Sequence, residues 1–340
     1  MTGSHVIGRI VGAIAAVIGA SIVSFIFLRV FPGDPARLVV GPLATNAQLE
    51  AVRHQMGLDQ PLFVQYWDYI TNFLRGNWGY SFGNGQDVRT LMATRIPASL
   101  ELGLFAFLWA FVAAVVFALV ATYRRRPIVD ASVRTVSFLG LGTPPFWLGL
   151  LLLLLFFVHL GWLPGPEGRL GPATTPPPDY TGLYTIDALI AGQWSTWWDS
   201  ARHLILPAIA LGFAPFAYLV RLLRVNLLDV SREPFLVVVR SKGIPRWTAF
   251  ARHALPNAFL PTLTAAALIL AQLIAGSVLV EKVFNWPGVG QLTVDAILRK
   301  DFAVVETFIL LSACAYVVVN AVVDVLYGVI DPRVRTGSQV

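Results

Sequence analysis

The sequence predicts an all-α, polytopic membrane protein with about six transmembrane helices, and three observations carry that prediction. Of the 340 residues 56% are hydrophobic and 13% charged, too apolar for a soluble domain that must cover itself with polar surface. The apolar residues fall in runs of roughly 17 to 27, the length at which a helix crosses a bilayer. Basic residues gather at the ends of these runs, as membrane topology demands. The net charge of +6 therefore reflects topology and not nucleic acid, since no compact basic stripe or nucleic-acid motif is present. The one cysteine, Cys314, excludes an intrachain disulfide framework and Cys-x-x-Cys metal spacing.

The chain divides into four segments. Residues 1–30 hold the first span, 11–28, which no small-residue cleavage site follows before Arg29 and which reads as retained. Residues 31–97 are the largest hydrophilic excursion: a turn cluster at Pro32, Gly33, Asp34 and Pro35, then two amphipathic or interfacial helices at 46–56 and 61–74. Residues 98–330 form the core transmembrane domain. Its second span, 102–123, ends at Arg124, Arg125 and Arg126, a strong inside marker. The third begins near Thr135 and meets Gly140, Gly142, Pro144 and Pro145, which predict a bend or break. Gly142, Thr143, Pro144 and Pro145 are accordingly the candidates for a pathway or hinge, with simple helix packing an equal alternative. A Pro- and Gly-rich stretch comes next, then Trp194, Trp197 and Trp198, an interfacial aromatic belt. The fourth span, 204–220, ends at Arg221 and Arg224; the fifth covers 254–280 and the sixth 307–330. Residues 331–340 are a tail. The segments assigned inside hold about 14 of the 25 lysines and arginines in a minority of the hydrophilic length, so both termini and the loop at 221–256 are expected in the cytoplasm.

That loop is a charged island between two long apolar segments. Glu233 is expected in the first turn of a short helix with Pro234 at an early position, and Arg240 and Lys242 near its end, the charge order that a helix dipole favours. Phe235, Leu236, Val238 and Val239 are expected to give it apolar contacts. Gly243 stops it in a left-handed conformation, and Pro245 begins a second helix, 246–253, that runs into the fifth span.

The same residues carry a resemblance. Gly243 and, nine residues on, His253-Ala254-Leu255-Pro256 resemble the signature loop of binding-protein-dependent ABC importer permeases. The spacing from Glu233 through Arg240-Ser241-Lys242-Gly243 resembles the dipeptide/oligopeptide branch. So do LRVFPGDPA from Leu28, MGLDQPLFVQY from Met56, GNWGYSF from Gly76, and Phe284-Asn285-Trp286-Pro287-Gly288-Val289-Gly290, which looks like that family's re-entrant external loop. Val237-Val238-Val239 departs from the polar or small residues common there. The resemblance covers nearly the whole chain and implies the type I importer permease fold. It also implies two permease subunits, most simply a heterodimer with a homologous partner, two cytoplasmic ATP-binding subunits and an extracytoplasmic substrate-binding protein. Glu233, Phe235, Arg240, Lys242 and Gly243 would then couple to the ATPase, and the cargo would be di- or oligopeptides, with nickel chelates, glutathione and oligosaccharides as alternatives in the family.

The chemistry that is missing agrees. A phosphate-cradling loop ends in Gly-Lys-Ser/Thr, and the only lysines, Lys242, Lys282 and Lys300, precede Gly, Val and Asp. The chain is therefore expected to be no enzyme and to bind no cofactor, with ATP and Mg on partner subunits. The five histidines show no metal-ligand spacing. Asp324 is a carboxylate inside a span and so a candidate proton-coupling group, but it lies about two turns from the exit at Asp331, where water or an arginine can satisfy it, and that structural reading is the stronger. A self-contained secondary transporter or channel is the alternative, but it would want inverted repeats and several intramembrane polar groups.

Overall fold

The computed structural model describes residues 3–30, 36, 40, 44–55, 57–124, 127–274 and 278–330. Met56, residues 32–35, 125–126 and 331–335, and the side chains of Arg240 and Asp324 lie outside the described set, with the expectations attached to them. The described chain is helical apart from loops and one two-stranded antiparallel hairpin, and it divides into two compact units.

The first unit joins residues 1–99 with 287–318. Helix α1 (Gly3–Val30) is followed by α2 (Asn46–Gln55) and α3 (Leu62–Leu74). The start of α2 is a capping box: the Gln48 N–H donates to Thr45 Oγ1 at 3.4 Å and the Thr45 N–H to Gln48 Oε1 at 3.0 Å. Pro61, with φ −55°, sets the entry to α3, whose Tyr66 and Tyr69 rings pack on Phe25 of α1 at 5.5 and 6.1 Å. Both amphipathic helices thus occur where their periodicity predicts. The hairpin β1 (Tyr80–Ser81) and β2 (Gln86–Asp87) leads directly into α4 (Val88–Arg124). Helices α13 (Val289–Arg299) and α14 (Phe302–Ile330) complete the unit. Its core sets Val88, Leu91 and Met92 against Leu292, Ala296, Val304 and Val305. Ser81 Oγ donates to Asp301 Oδ2 at 2.6 Å, which ties the hairpin to the α13–α14 corner.

The second unit holds residues 100–286 and 319–340. Beyond the rest of α4 it contains α5 (Pro127–Gly142), α6 (Pro145–Leu152) with a π-helical continuation Leu153–His159, α7 (Tyr184–Ile190) and α8 (Trp194–Val230). After these come α9 (Pro234–Ser241), α10 (Arg246–Ala249), a π-helical turn Phe250–Ala254, α11 (Leu255–Ile274) and α12 (Val278–Val283). Small residues bring the long helices together. Ala106, Ala110, Ala114 and Ala118 recur every four residues on α4, and all are buried. A Cβ on Gly103 would stand 2.6 Å from the Leu273 carbonyl oxygen, and one on Gly212 2.5 Å from that of Ala106. The Trp109 indole N–H donates to the Ala208 carbonyl at 2.6 Å.

Among the described residues, Val88–Tyr123, Trp194–Val230, Arg246–Ile274 and Phe302–Val319 are long and apolar enough to cross a membrane, and Ala131–Gly142 with Pro145–His159 forms one further crossing bent by 109°. The first expected span falls on α1, whose shorter apolar stretch is Ile14–Ile26. The helices outrun their apolar stretches. α4 starts at Val88 and passes through Pro97, α8 starts at Trp194, and α14 starts at Phe302. The 37 residues of α8 make about 55 Å of helix against a hydrocarbon core of about 30 Å, so its tryptophan end stands outside the bilayer core. The fifth span is described as α11 to Ile274; residues 275–277 are not described, and α12 follows them from Val278.

Candidate functional site

The island begins where α8 stops. The Ser231 N–H donates to the Leu227 carbonyl, and the chain turns through two further backbone bonds, Arg232 to Asp229 and Glu233 to Val230. Helix α9 then starts at Pro234, a residue that needs no partner for an N–H it lacks. Glu233 thus stands immediately before the helix instead of inside its first turn, and its carbonyl accepts the Leu236 N–H. Its charge still lies at the positive end of the dipole. The expected apolar contacts are corrected more sharply. Leu236 alone is buried, at 1% exposure, while Phe235, Val237 and Val238 are 40, 63 and 54% exposed. Val239, three residues on and on the same helix face as Leu236, is half-buried, so the covered side of α9 is the Leu236–Val239 side.

The exit has the expected geometry. The Lys242 N–H closes the last turn on the Val238 carbonyl, Gly243 takes φ +77°, and Pro245 precedes α10 in extended conformation. A Cβ at Gly243 would meet nothing within 4 Å, so glycine is required there by backbone conformation and not by space. Lys242 is exposed.

Beyond Pro245 the chain is one continuous rod. α10 passes through the π turn into α11 without a break. Its base is held by a cluster of Ala118 of α4, Leu223 and Leu227 of α8, and Ala258 of α11, with Phe250, Leu255 and Phe259 packed on it. Tyr123, at the end of α4, meets Trp247 edge to face at 5.2 Å and Phe250 at 5.8 Å. Asn226 donates from Nδ2 to Thr262 Oγ1 at 3.3 Å, bonding α8 to α11. The two spans that flank α9 in sequence, α8 and α11, are thus packed on each other.

The break in the third span lies where glycine and proline predict it. α5 ends at Gly142, Thr143 and Pro144 are non-helical, Pro144 has φ −62° and ψ 134°, and Pro145 opens α6. The structure does not bring these four residues to the island; they form a separate locus within the second unit.

Sequence reasoning missed a buried charge network. Glu101 accepts from Arg169 Nε at 3.1 Å and from a second guanidinium nitrogen at 2.6 Å, and its other oxygen accepts from the Thr185 N–H and hydroxyl at 2.8 and 2.7 Å. Arg169 also donates to the Gly182 carbonyl at 2.7 Å and lies 3.5 Å from the centre of the Tyr184 ring. Asp187 gathers the Thr181 and Gly182 N–H groups, and Asp199 the Gly171 N–H at 2.9 Å. The Pro- and Gly-rich segment is thus a pinned structure and not a loose connection. The available signal was Arg169 itself, a lone cation in a long loop, with Glu101 at the very edge of an apolar run.

Comparison with known proteins agrees with this architecture. The model for "Binding-protein-dependent transport system inner membrane component" matches residues 77–336, and a model for the N-terminal part of such components matches residues 3–103. The chain is 39% identical to the "Probable D,D-dipeptide transport system permease protein DdpB" of Escherichia coli K12, over 96% of each chain. It is 41% identical to the di/tripeptide permease DppB of Pseudomonas aeruginosa, over 93% of this chain and 94% of that one. To the glutathione permease GsiC of Escherichia coli K12 it is 36% identical, over 98 and 99%. With models covering most of its length and relatives aligned end to end, the chain belongs to the family of binding-protein-dependent transport system inner membrane components.

Proposed function

We propose that this permease subunit forms half of the pathway of an ATP-driven importer of di- and oligopeptides, and that residues 221–256 couple it to a cytoplasmic ATPase. The observation that carries the reading is α9, a short helix at the end of a span that buries Leu236 and leaves Phe235, Val237 and Val238 uncovered. Such a face is stable in water when a partner's groove receives it. Its place between α8 and α11, which are packed on each other, supplies the other half of the argument: ATPase closure shifts the pathway only through contacts that differ between the inward- and outward-facing states. Glu233, Phe235, Arg240, Lys242 and Gly243 belong to that contact.

The assembly comprises a homologous second permease subunit, two ATP-binding subunits that hold ATP and Mg, and an external binding protein. Charge distribution puts both termini and the island in the cytoplasm. The names of the aligned relatives, which are dipeptide, tripeptide and glutathione permeases, favour a peptide cargo over nickel chelates or oligosaccharides.

The test is reconstitution in vesicles. The complex with its ATPases and binding protein is expected to accumulate a dipeptide only when ATP is supplied, and this chain purified alone to hydrolyse no ATP. Dipeptide accumulation driven by a proton gradient in vesicles holding this chain alone would overturn the reading in favour of a secondary transporter.

A further inference from the structure

Between α5, α8 and α11, within the second unit, lies an open cleft of 390 Å³. Leu141, Pro215, Leu268 and Ile269 give it apolar walls, and the Tyr218 hydroxyl and the Gln272 amide are its polar side-chain groups. We propose that this cleft is a substrate-contacting stretch of the translocation pathway, and that Tyr218 and Gln272 hydrogen-bond the amide groups of a passing peptide. The proposal rests on the peptide-import reading above for its ligand, but not for its wetness.

Two independent features argue that the cleft is wet. Neither Tyr218 nor Gln272 has a hydrogen-bond partner among the described residues, and both are exposed on segments apolar enough to span the membrane. Polar groups at membrane depth are kept where they meet protein or water, because hydrocarbon offers them nothing. Leu141 sits at the broken end of α5, where Gly142 faces open space and the next helix starts only at Pro145. Interrupted backbone inside a membrane is tolerated where it lines a cavity or is buried in protein. A broken helix end and two uncommitted side chains converge on one opening.

The chemistry selects the ligand class. A glutamine amide presents one donor group and one acceptor, the complement of a peptide unit, and a tyrosine hydroxyl both donates and accepts. Neither carries charge, and the walls are apolar and unspecific in shape. Such a surface grips peptide backbone and tolerates diverse side chains, and it holds no charged group to trap a cargo that must leave again.

The experiment uses the complete complex in vesicles with alanyl-phenylalanine as probe. Tyr218→Phe combined with Gln272→Leu is expected to lower dipeptide uptake about tenfold, while ATPase activity stimulated by the loaded binding protein stays within about twofold of the parent. In a Cys314→Ser background, Gln272→Cys is expected to react with a charged, membrane-impermeant methanethiosulfonate, and the dipeptide to slow that reaction. Unchanged uptake by the double variant would overturn the proposal. So would a Gln272→Cys thiol that stays unreactive in both the resting and the vanadate-trapped complex, because the cleft would then be covered by lipid or by the second subunit. If the thiol reacts but the parent complex moves no peptide, the cleft stands as an aqueous pathway and the peptide-import reading falls.

Discussion

Glu101 shows what a single side chain does to this fold. A carboxylate buried inside α4 would be intolerable alone; here four donors converge on it, two from Arg169 and two from Thr185. Removing one partner of such a pair strands the other charge, at a cost of about 3–5 kcal/mol. Glu101→Ala is therefore expected to lower the thermal stability of the detergent-solubilised protein and to raise hydrogen exchange across residues 165–187, with Glu101→Gln falling in between. Unchanged exchange in that segment would mean that the loop is held by something else. Tyr69 shows the opposite strategy. Burial, and after it the Glu306 carboxylate, push its hydroxyl far above the ordinary range, so it remains a donor to the Glu306 carbonyl at any physiological pH. Of these residues only the glycine-type requirements are legible in the sequence. Gly243 announces a left-handed stop because it follows a helical run and precedes a proline. Glu101 announces only a carboxylate at the edge of an apolar run and not its partner, which lies 68 positions away in a loop without periodicity.

At the scale of elements, apolar runs locate the spans and glycine and proline locate the break, because both signals are local. Helix lengths are less legible. Val88 to Glu101 of α4 and Trp194 to His203 of α8 extend their helices beyond the apolar runs, the former with Val88, Leu91 and Met92 packed in a core, and hydropathy alone does not mark such extensions. The island is legible as helix, corner and helix, but which side of α9 is covered is a tertiary fact. That fact gives a paired prediction. Leu236→Ala should destabilise the subunit, by about 2–5 kcal/mol for a buried leucine, and lower its yield from membranes. Phe235→Ala with Val238→Ala should leave yield and thermal stability unchanged and weaken co-purification of the ATPases. The reverse pattern would assign the exposed face to something other than a partner.

For the whole molecule, the assignment of sides is the prediction with the widest reach. Cysteines introduced at Arg125 and Lys242 should be labelled only from the cytoplasm, and those at Asp87 and Pro176 only from outside. One reversal would break the arrangement in which the island meets a cytoplasmic ATPase. The two units also divide the work: the hairpin, α2 and α3 belong to one, while the island, the broken span and the cleft belong to the other. On the proposed reading, coupling would run within the second unit, from α9 through the π turn to α11 and across the Leu223–Ala258 cluster to α8.

The most direct measurement of that claim is substrate uptake and ATPase activity in vesicles reconstituted with all subunits, for Gly243→Val and for Arg240→Glu combined with Lys242→Glu. A side chain forced to φ +77° costs about 1 kcal/mol or more, and charge reversal at a buried interface can cost a few kcal/mol. Both variants are expected to insert and fold normally, yet to lose uptake and binding-protein-stimulated ATPase activity, with the charge reversal also releasing the ATPases on co-purification. Normal uptake and normal stimulation in both would contradict the account and leave the island a simple basic tether between two spans.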